Sequence, residues 1–505
     1  MTTMFKSWIK LTTLMILFSA SFISCEDDDM PTNPTVKPDV VFYALSGGNT
    51  LVRYNANATT TAQATMGIAG MQPGESMLSI DFRPATGELY GLGSTSRLYI
   101  INITTGAARA LGTSSFTPTL SAATAEIDFN PTVDRIRLVG ADGQNLRLNP
   151  ETGTVAAVDL PINGVAGAVV SSVAYVSNFA GATTTTLFDI DVATNKLYKQ
   201  IPANSGTLAL VGDLTVDPNG VSGFDISPTG DAALAILNVA GANKLYSIDT
   251  ASGKATLIGG FSTGVTPSAI AIPTTKVAYG VDLNNNLVIF NPLAAGNVIN
   301  KTITGIGVEN ILGIDFRPAT SQLYALSSSS KLYTINLSSG AATQVGTVGS
   351  FVLTGTSFGF DFNPTVDRIR IVSNTGQNLR ANPTDGTAIV DAMLNPGTPA
   401  VTAAAYTNNF ATATTTMLFV IDNSNNTLYN QNPANAGTLI AVGALGVTPG
   451  TSNGFDIGGT SNNAYAVLTV GATTSVYTIN TTTGAATKVY DLAAALRGFA
   501  LSPSL

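Results

Sequence analysis

The sequence repeats itself at two periods, and this repetition limits the fold to architectures built from similar units. Residues 80–86, Ile-Asp-Phe-Arg-Pro-Ala-Thr, recur at 314–320, and residues 128–137 recur at 361–370. The offset is 234 residues from Asp81 to Asp315 and 233 residues from Asp128 to Asp361. We therefore predict two similar halves, 40–273 and 274–505.

Each half also contains a shorter repeat. A strand pattern of the type Leu-Tyr-x-Ile, often followed by a Thr/Ser-Gly turn, begins at Leu51, Leu98, Leu146, Leu197 and Leu245, and again at Leu287, Leu332, Leu379, Leu428 and Val476. The mean spacing is about 47 residues, close to the length of known propeller blades. Around the second start, four runs at 78–84, 88–92, 97–102 and 107–111 are rich in β-branched and aromatic residues. We predict an all-β fold, a β-propeller of ten four-stranded blades.

The ends of the two halves indicate how the blades close. Residues 268–273 have the pattern of an innermost strand and run directly into the second half, and their counterpart at 497–503 ends the chain. The first blade, at 40–43, has no such strand before it. One ten-bladed ring and two five-bladed rings both fit. The closing strand in each half favours two rings, although the link at 274–275 is short.

The N-terminal residues are predicted to export the chain rather than to join the fold. Lys6 and Lys10 precede an uncharged, apolar run at 11–23, as in a secretory signal peptide. That run is too short for a membrane-spanning helix of roughly 20 residues. The signal peptide is assigned to 1–24, because residues 22–25, Phe-Ile-Ser-Cys, resemble a bacterial lipobox.

Cys25 is the single cysteine of the chain and is predicted to carry a lipid. Residues 25–39, with the acidic run 26–29 followed by a Pro- and Thr-rich stretch, are typical of a solvated tether. The acidic run also resembles a signal for the outer face of the outer membrane. We therefore predict an outer membrane lipoprotein exposed on the cell surface, or alternatively facing the periplasm, which contacts the membrane only through its lipid.

The absence of histidine limits the chemistry that the chain can perform. With no histidine in 505 residues and one cysteine assigned to the anchor, nucleophiles that depend on histidine and metal sites built from imidazole or thiolate are excluded. The net charge of -8 argues against nucleic acid as a partner, since there is no basic excess to neutralise phosphates. We assign no catalytic residue, no cofactor and no metal.

Aspartates recur at one position of the innermost strand of successive blades, at Asp81, Asp128, Asp225, Asp315, Asp361 and Asp456. A residue that repeats from blade to blade is more easily explained by ring geometry than by a unique active site. We expect these carboxylates to cap backbone N–H groups of the next turn. The alternative is a ring of carboxylates, or an ion, facing the axis.

Arginine, amide and aromatic side chains form the candidate ligand-binding set. Strand alternation places Arg135 and Arg137 on one face, and arginine pairs well with the carboxylate of an anionic sugar. The alternatives are inter-blade ion pairs with Asp128 or Asp134, and amides that cap turns. The candidates are Arg135, Arg137, Gln144, Asn145, Arg147, Asn178 and Phe179 in the first half, and Arg368, Arg370, Gln377, Asn378, Arg380, Asn409 and Phe410 in the second half.

The repeated phrases Ile-Asp-Phe-Arg/Asn-Pro, Asp-Arg-Ile-Arg and Gly-Gln-Asn-Leu-Arg, the last at 143–147 and 376–380, resemble a bacterial family known as domain of unknown function 4394. The resemblance covers nearly all of the exported chain as two copies. It implies a β-propeller fold and brings no catalytic residues.

Three functions remain open at this point. The first is a non-enzymatic, surface-displayed binding or scaffold module for a glycan or protein partner. The second is a carboxylate-dependent glycan hydrolase or lyase, which would need two acidic residues facing one pocket. The five glutamates after the tether, Glu75, Glu88, Glu126, Glu151 and Glu309, provide no evident pair. The third is a purely structural envelope protein.

Overall fold

A computed structural model describes residues 37–220, 223–347 and 349–505. Within these ranges the regular structure consists of β-strands and three one-turn 3-10 helices, Ala56–Ala58, Ala203–Ser205 and Ala434–Ala436. None of these helices has the length and apolar character needed to cross a bilayer. Cys25 and the predicted signal peptide lie outside the described residues.

The first half contains twenty strands. They are β1 (Val41–Ser46), β2 (Thr50–Asn55), β3 (Ala64–Gly67), β4 (Met77–Phe82), β5 (Leu89–Gly93), β6 (Arg97–Ile101), β7 (Ala108–Ala110), β8 (Ala125–Asn130), β9 (Arg135–Gly140), β10 (Asn145–Leu148), β11 (Val155–Val158), β12 (Val170–Tyr175), β13 (Leu187–Asp191), β14 (Lys196–Gln200), β15 (Leu208–Asp213), β16 (Gly223–Ile226), β17 (Ala233–Val239), β18 (Ala242–Ile248), β19 (Ala255–Gly260) and β20 (Pro267–Ala271).

The second half repeats this series. Its strands are β21 (Ala278–Asp282), β22 (Asn286–Phe290), β23 (Ile299–Thr302), β24 (Ile311–Arg317), β25 (Gln322–Ser327), β26 (Leu332–Ile335), β27 (Ala342–Val345), β28 (Phe358–Asn363), β29 (Arg368–Ser373), β30 (Asn378–Ala381), β31 (Ala388–Val390), β32 (Val401–Tyr406), β33 (Leu418–Asp422), β34 (Thr427–Gln431), β35 (Leu439–Ala444), β36 (Pro449–Ile457), β37 (Ala464–Val470), β38 (Thr473–Ile479), β39 (Ala486–Asp491) and β40 (Leu496–Leu501).

The forty strands pair into ten four-stranded antiparallel sheets, so the predicted ten blades are confirmed. We number them in chain order: blade 1 is β20-β1-β2-β3, blades 2 to 5 are formed by β4 to β19, blade 6 is β40-β21-β22-β23, and blades 7 to 10 are formed by β24 to β39. The four runs predicted from the sequence between residues 78 and 111 correspond to β4 to β7 of blade 2.

Each half closes on itself through its last strand. Strand β20 pairs with β1 of the same half, and β40 pairs with β21. The innermost strands β4, β8, β12, β16 and β20 contact one another in a closed order, and so do β24, β28, β32, β36 and β40. Of the two arrangements left open by the sequence, this pairing is that of two five-bladed circles.

Tight approach of the innermost strands around each circle requires small residues. A Cβ atom added at Gly454 would lie 2.4 Å from the Cβ atom of Phe499, and one added at Gly498 would lie 2.9 Å from the Cα atom of Gly313. Such distances are shorter than van der Waals contact, so a side chain here would force the strands apart. Glycine at these positions allows five strands to meet around a narrow axis.

The apolar core lies between adjacent blades rather than inside one sheet. Blade 2 contributes Tyr90 and Leu92, and blade 3 contributes Phe129 and Ile136, to one buried cluster. The rings of Tyr90 and Phe129 meet edge to face, with their centroids 5.0 Å apart. Because a single blade leaves apolar faces exposed, it depends on its neighbours for burial, as the repeat predicts.

The two halves also contact each other. The hydroxyl of Tyr279 donates to the carbonyl oxygen of Ala85 at 2.7 Å, and the hydroxyl of Ser321 donates to Glu88 at 2.8 Å. The amide of Gln322 donates to Glu151 at 3.0 Å. These contacts hold the two halves side by side, in keeping with the short link at 274–275.

Candidate functional site

The candidate site lies between blades 8 and 9, where strand β29 presents two arginines on one face. Ile369 and Ile371 alternate with them and pack into the core shared with blade 7. Arg368 and Arg370 therefore face the other side, towards Tyr406 on β32. The predicted alternation of Arg135 and Arg137 with buried Ile136 and Leu138 is confirmed in the first half.

Arg370 is buried and fixed by side chains from two blades. It donates to the amide oxygen of Asn378 at 2.7 Å and to the carboxylate of Asp391 at 2.8 Å, both within blade 8. It also donates to the amide oxygen of Asn435 at 2.7 Å and to the hydroxyl of Tyr406 at 3.4 Å, both from blade 9. With 2% of its surface exposed, Arg370 is a cross-link between the blades.

Arg380 forms a bidentate ion pair with the same carboxylate. Its two N–H groups reach the two oxygens of Asp391 at 2.7 and 2.9 Å. Burial by itself raises the pKa of Asp391, but the hydrogen bonds from Arg380 and Arg370 outweigh that effect and hold the pKa below its usual value. Asp391 is therefore ionised at neutral pH and neutralises one of the two guanidinium groups.

A pocket of about 280 Å³ opens beside this network. Its lining consists of Asn363, Val366, Arg368, Arg370, Arg380, Tyr406, Pro433, Ala434 and Asn435. The Arg368 guanidinium donates to the carbonyl oxygen of Asp367 at 2.9 Å and, within the described ranges, forms no ion pair. Three guanidinium groups thus border the pocket and two of them share the carboxylate of Asp391, so the excess of positive charge attracts anions.

The same contacts recur in the first half. Arg137 donates to Asn145 at 2.7 Å, to Asp159 at 2.6 Å and to Asn204 at 2.6 Å. Arg147 pairs with Asp159 at 2.8 and 2.9 Å. The repetition of this network in both halves shows that it is part of the repeated fold.

The ion-pair partners expected from the sequence were wrong. Asp134 pairs with Arg83 of blade 2 instead of Arg135, and Asp128 accepts a backbone N–H from Tyr175 at 2.9 Å. The carboxylate that pairs with Arg137 and Arg147 is Asp159, which lies in the same blade. The contacts that cross between blades are made by amide and hydroxyl groups, because the neighbouring blade presents Asn204 and Tyr175 there.

The remaining predicted ligand-binding residues do not converge on one pocket. Gln144 donates to the carbonyl oxygen of Thr119 at 2.8 Å, and Gln377 donates to that of Val352 at 2.7 Å, so both fasten loops. Asn145 and Asn378 belong to the arginine networks just described. Asn178 and Asn409 lie beyond the ends of β12 and β32, where the following Phe179 and Phe410 are each 36% exposed.

Sequence reasoning missed four residues of these networks: Asp159, Asn204, Asp391 and Asn435. A signal for two of them was present, because Pro-Ala-Asn at 202–204 recurs at 433–435 in both halves. The acidic residues follow short outer strands at 155–158 and 388–390, which the repeat pattern defines weakly.

The repeated aspartates join neighbouring blades. Asp81 accepts the backbone N–H of Phe129 at 2.7 Å, and Asp225 accepts that of Ile272 at 2.5 Å. The bonded groups belong to the next blade, not to the next turn as predicted. The carboxylates also lie close together in groups of three, as in the alternative of carboxylates that face the axis.

Burial raises the pKa of each of these carboxyl groups. The pKa rises to about 7 for Asp225 and Asp456, and well above its usual range for Asp81, Asp128, Asp315 and Asp361. In the second group, repulsion from neighbouring aspartates adds to burial. Without a counter-ion, such groups favour the protonated form.

Asp189 is another buried carboxyl group, and unlike the repeated aspartates it has no counterpart in the second half. It is fully buried, neither of its oxygens has a hydrogen-bond partner within the part of the chain that the structure describes, and the second half has Val420 at this position. Because an unsatisfied buried carboxyl group is costly, Asp189→Val is expected to raise the free energy of unfolding by about 1–3 kcal/mol, measured by urea denaturation at neutral pH. The reverse change, Val420→Asp, is the matched control and should destabilise. A loss of stability in Asp189→Val would contradict this interpretation.

Comparison with solved structures gives matches of low identity. The chain matches the extracellular domain of a protein described as a one-component system, BT4673, from B. thetaiotaomicron, with 13% identity and a TM-score of 0.25, over 89% of this chain and 59% of that one. It matches PorZ, described as an essential surface component of the type-IX secretion system of Porphyromonas gingivalis, with 12% identity and a TM-score of 0.26, over 90% and 58%. The chain thus spans less than three fifths of the length of both structures.

A third match is the Dos1 propeller, with 13% identity and a TM-score of 0.25, over 64% of this chain and 82% of that one. No curated protein matches the sequence. The model of the family named domain of unknown function (DUF4394) matches residues 50–271 and again residues 286–500, together well over half of the chain. The chain therefore belongs to the family of domain of unknown function 4394, of which it contains two tandem copies.

Proposed function

We propose that this protein is a non-enzymatic binding module displayed on the outer surface of the cell, and that the pocket between blades 8 and 9 receives the carboxylate of an acidic glycan. The observation that carries the proposal is Arg368, a guanidinium without an ion pair among the described residues, at the rim of a pocket already bordered by Arg370 and Arg380. Its position leaves donors available for an anion.

The geometry of the pocket favours a small acidic group. Its volume of about 280 Å³ is slightly below the range of about 300–1,000 Å³ of sites for drug-sized ligands. A guanidinium group offers two parallel N–H donors that match a carboxylate. Arg370 and Arg380 are held in place by Asp391, so little side-chain entropy is lost when a ligand binds.

Tyr406 and Val366 add apolar surface to the same lining. Val366 is 56% exposed and lies at the rim. A sugar ring has apolar C–H faces beside its polar groups, so a lining of this kind suits one acidic sugar residue. The predicted lipobox at Cys25 and the acidic tether support display on the cell surface.

Glycan hydrolysis needs a pair of carboxylates, and the described lining of this pocket does not provide one. The pocket therefore does not support the alternative function. Asp391 lies behind the lining and is engaged by two arginines, and the described residues that line the pocket include no acidic one. The same carboxylate cannot act as a general acid while both of its oxygens accept hydrogen bonds from guanidinium groups and its pKa is lowered. Binding without turnover is the function that this geometry supports.

The proposal is tested by binding the purified protein to an array of acidic and neutral bacterial and host polysaccharides. Arg368→Ala is expected to weaken binding to acidic glycans about 10- to 100-fold, because it removes one charge-assisted interaction. Arg97→Ala, which removes a partly exposed arginine of the first half, is the matched control and should bind normally. Equal binding by Arg368→Ala and the unchanged protein would contradict the proposed site, and turnover of any polysaccharide would contradict the non-enzymatic function.

A further inference from the structure

Three aspartates meet at the axis of each circle. In the first half, one carboxylate oxygen from each of Asp81, Asp128 and Asp225 lies within 4.8 Å of the other two. In the second half, Asp315, Asp361 and Asp456 form the same arrangement. All six residues are buried, with at most 4% of their surface exposed. We call these groups the first and second axial triads.

The axial triads have hydrogen-bond donors but no cationic partner. In the first triad, backbone N–H groups of Phe82 and Phe129 donate to Asp81, at 2.7 Å each. Among the described residues, no lysine or arginine forms an ion pair with any of the six aspartates. Backbone dipoles offset only part of the charge of three carboxylates that lie so close together. A charge-balanced triad therefore needs a cation or shared protons.

A separate observation identifies an oxygen ligand beside the first triad. Asn178 is 5% exposed, and its amide nitrogen donates to the carbonyl oxygens of Tyr175 at 3.0 Å and Ile226 at 2.8 Å. The N–H groups of the same two residues donate to Asp128 and Asp225, so the amide lies at the level of the triad. Its Oδ1 atom is buried and has no hydrogen-bond partner in the described ranges. An unpaired buried oxygen is costly unless something binds to it.

The second half has the same amide in the corresponding place. The amide nitrogen of Asn409 interacts with the carboxylate of Asp315 in the second triad, and the Oδ1 atom of Asn409 is buried and has no hydrogen-bond partner among the described residues. The interaction with Asp315 places this amide group beside the second triad. The two halves thus repeat an arrangement of three carboxylates and one unpaired amide oxygen.

Glu126 adds a further carboxyl group to the first triad. It lies two residues before Asp128 on β8, so both side chains are on the same face of the strand. Glu126 is 6% exposed, and no described residue forms a hydrogen bond with its Oε1 atom. The second half has Gly359 at this position, so the two circles differ in the negative charge around the axis.

We propose that each axial triad binds one calcium ion, with Asn178 and Asn409 supplying an additional oxygen ligand. Calcium takes six to eight oxygen ligands at about 2.3–2.6 Å, so one ion can contact three oxygens that lie within 4.8 Å of one another. Magnesium usually keeps several of its water molecules, for which a site this buried has little space. A bound ion ties β4, β8 and β16 together at the axis, and this role is independent of ligand binding between blades 8 and 9.

The test is to remove metal from the purified protein with EDTA and then measure calcium binding by equilibrium dialysis and melting temperature. We expect two calcium ions per chain, and a rise in Tm of about 5 °C or more on adding about 1 mM calcium. Asp128→Asn and Asp361→Asn each keep a side-chain oxygen to accept the N–H of Tyr175 or Tyr406. Each variant should lose one calcium ion, and the double variant should lose both.

Asp213→Asn, which changes an exposed aspartate of the outer strand β15, is the matched control and should keep two ions. The proposal is overturned if the unchanged protein binds no calcium and its Tm does not respond to calcium or EDTA. In that case the triads share protons. It is also overturned if the double variant binds as much calcium as the unchanged protein, or if magnesium binds equally well. The measurements on the unchanged protein decide the question even if a variant fails to fold.

Discussion

Replacing Arg370 with alanine is expected to lower the free energy of unfolding by about 3–5 kcal/mol, the range for breaking a buried ion pair from one side. The change leaves the carboxylate of Asp391 with one arginine and removes the donors to the amide oxygens of Asn378 and Asn435. The loss is measurable by urea denaturation at neutral pH.

Arg368→Ala is the matched control, because it removes a guanidinium from the same strand and the same pocket. Arg368 donates to a backbone oxygen and forms no ion pair among the described residues. We therefore expect the free energy of unfolding to fall by less than about 1 kcal/mol. Arg370→Ala should therefore affect mainly stability, whereas Arg368→Ala should affect mainly ligand binding. If Arg368→Ala were as destabilising as Arg370→Ala, Arg368 would be a structural residue and the assignment of the free donor would be wrong.

Replacing Phe499 with alanine is expected to cost about 3–5 kcal/mol, as for other large aromatic residues in a core. Phe499 lies on the closing strand β40, is 3% exposed and stacks on Phe290 with the ring centroids 6.0 Å apart. Strand β40 closes only the second circle. The loss of protection against hydrogen exchange should therefore be concentrated in strands β21 to β40.

Ile270→Ala is the matched change in the first half, since Ile270 occupies the same position on the closing strand β20. It should reduce protection in strands β1 to β20 instead. Equal loss of protection in both halves from either variant would be the behaviour of one continuous ring, and would contradict two circles that close separately.

The repeat was sufficient to predict the fold because its physical cause is local. Turn residues and alternating apolar positions recur in each unit, and each unit must bury its faces against the next. The number of blades follows directly from the number of repeated units. The choice between one ring and two does not, because the pairing of β20 with β1 joins residues about 225 positions apart, and both arrangements use the same local pattern.

The site was only partly predictable. Alternation on β9 and β29 identified the arginines that face the neighbouring blade. Proximity in sequence, however, suggested Asp134 as the partner of Arg135, whereas Asp134 pairs with Arg83 of the preceding blade. Contacts between blades depend on how sheets stack, and a sequence pattern within one blade does not contain that information.

The same reasoning explains the aspartates. Their recurrence correctly indicated a role in ring geometry, but the N–H groups that they bind lie about 47 residues further along the chain, in the next blade. Their mutual approach at the axis was considered as an alternative, because strand direction alone does not fix how far each side chain reaches inwards.

Whether the pocket beside Arg368 binds an acidic glycan can be decided by a calorimetric titration with one carboxylated oligosaccharide and its carboxyl-reduced form. We predict that the carboxylated form binds with an affinity at least about tenfold higher, that added salt weakens it, and that Arg368→Ala removes the difference. Equal affinity for the two forms would contradict the claim.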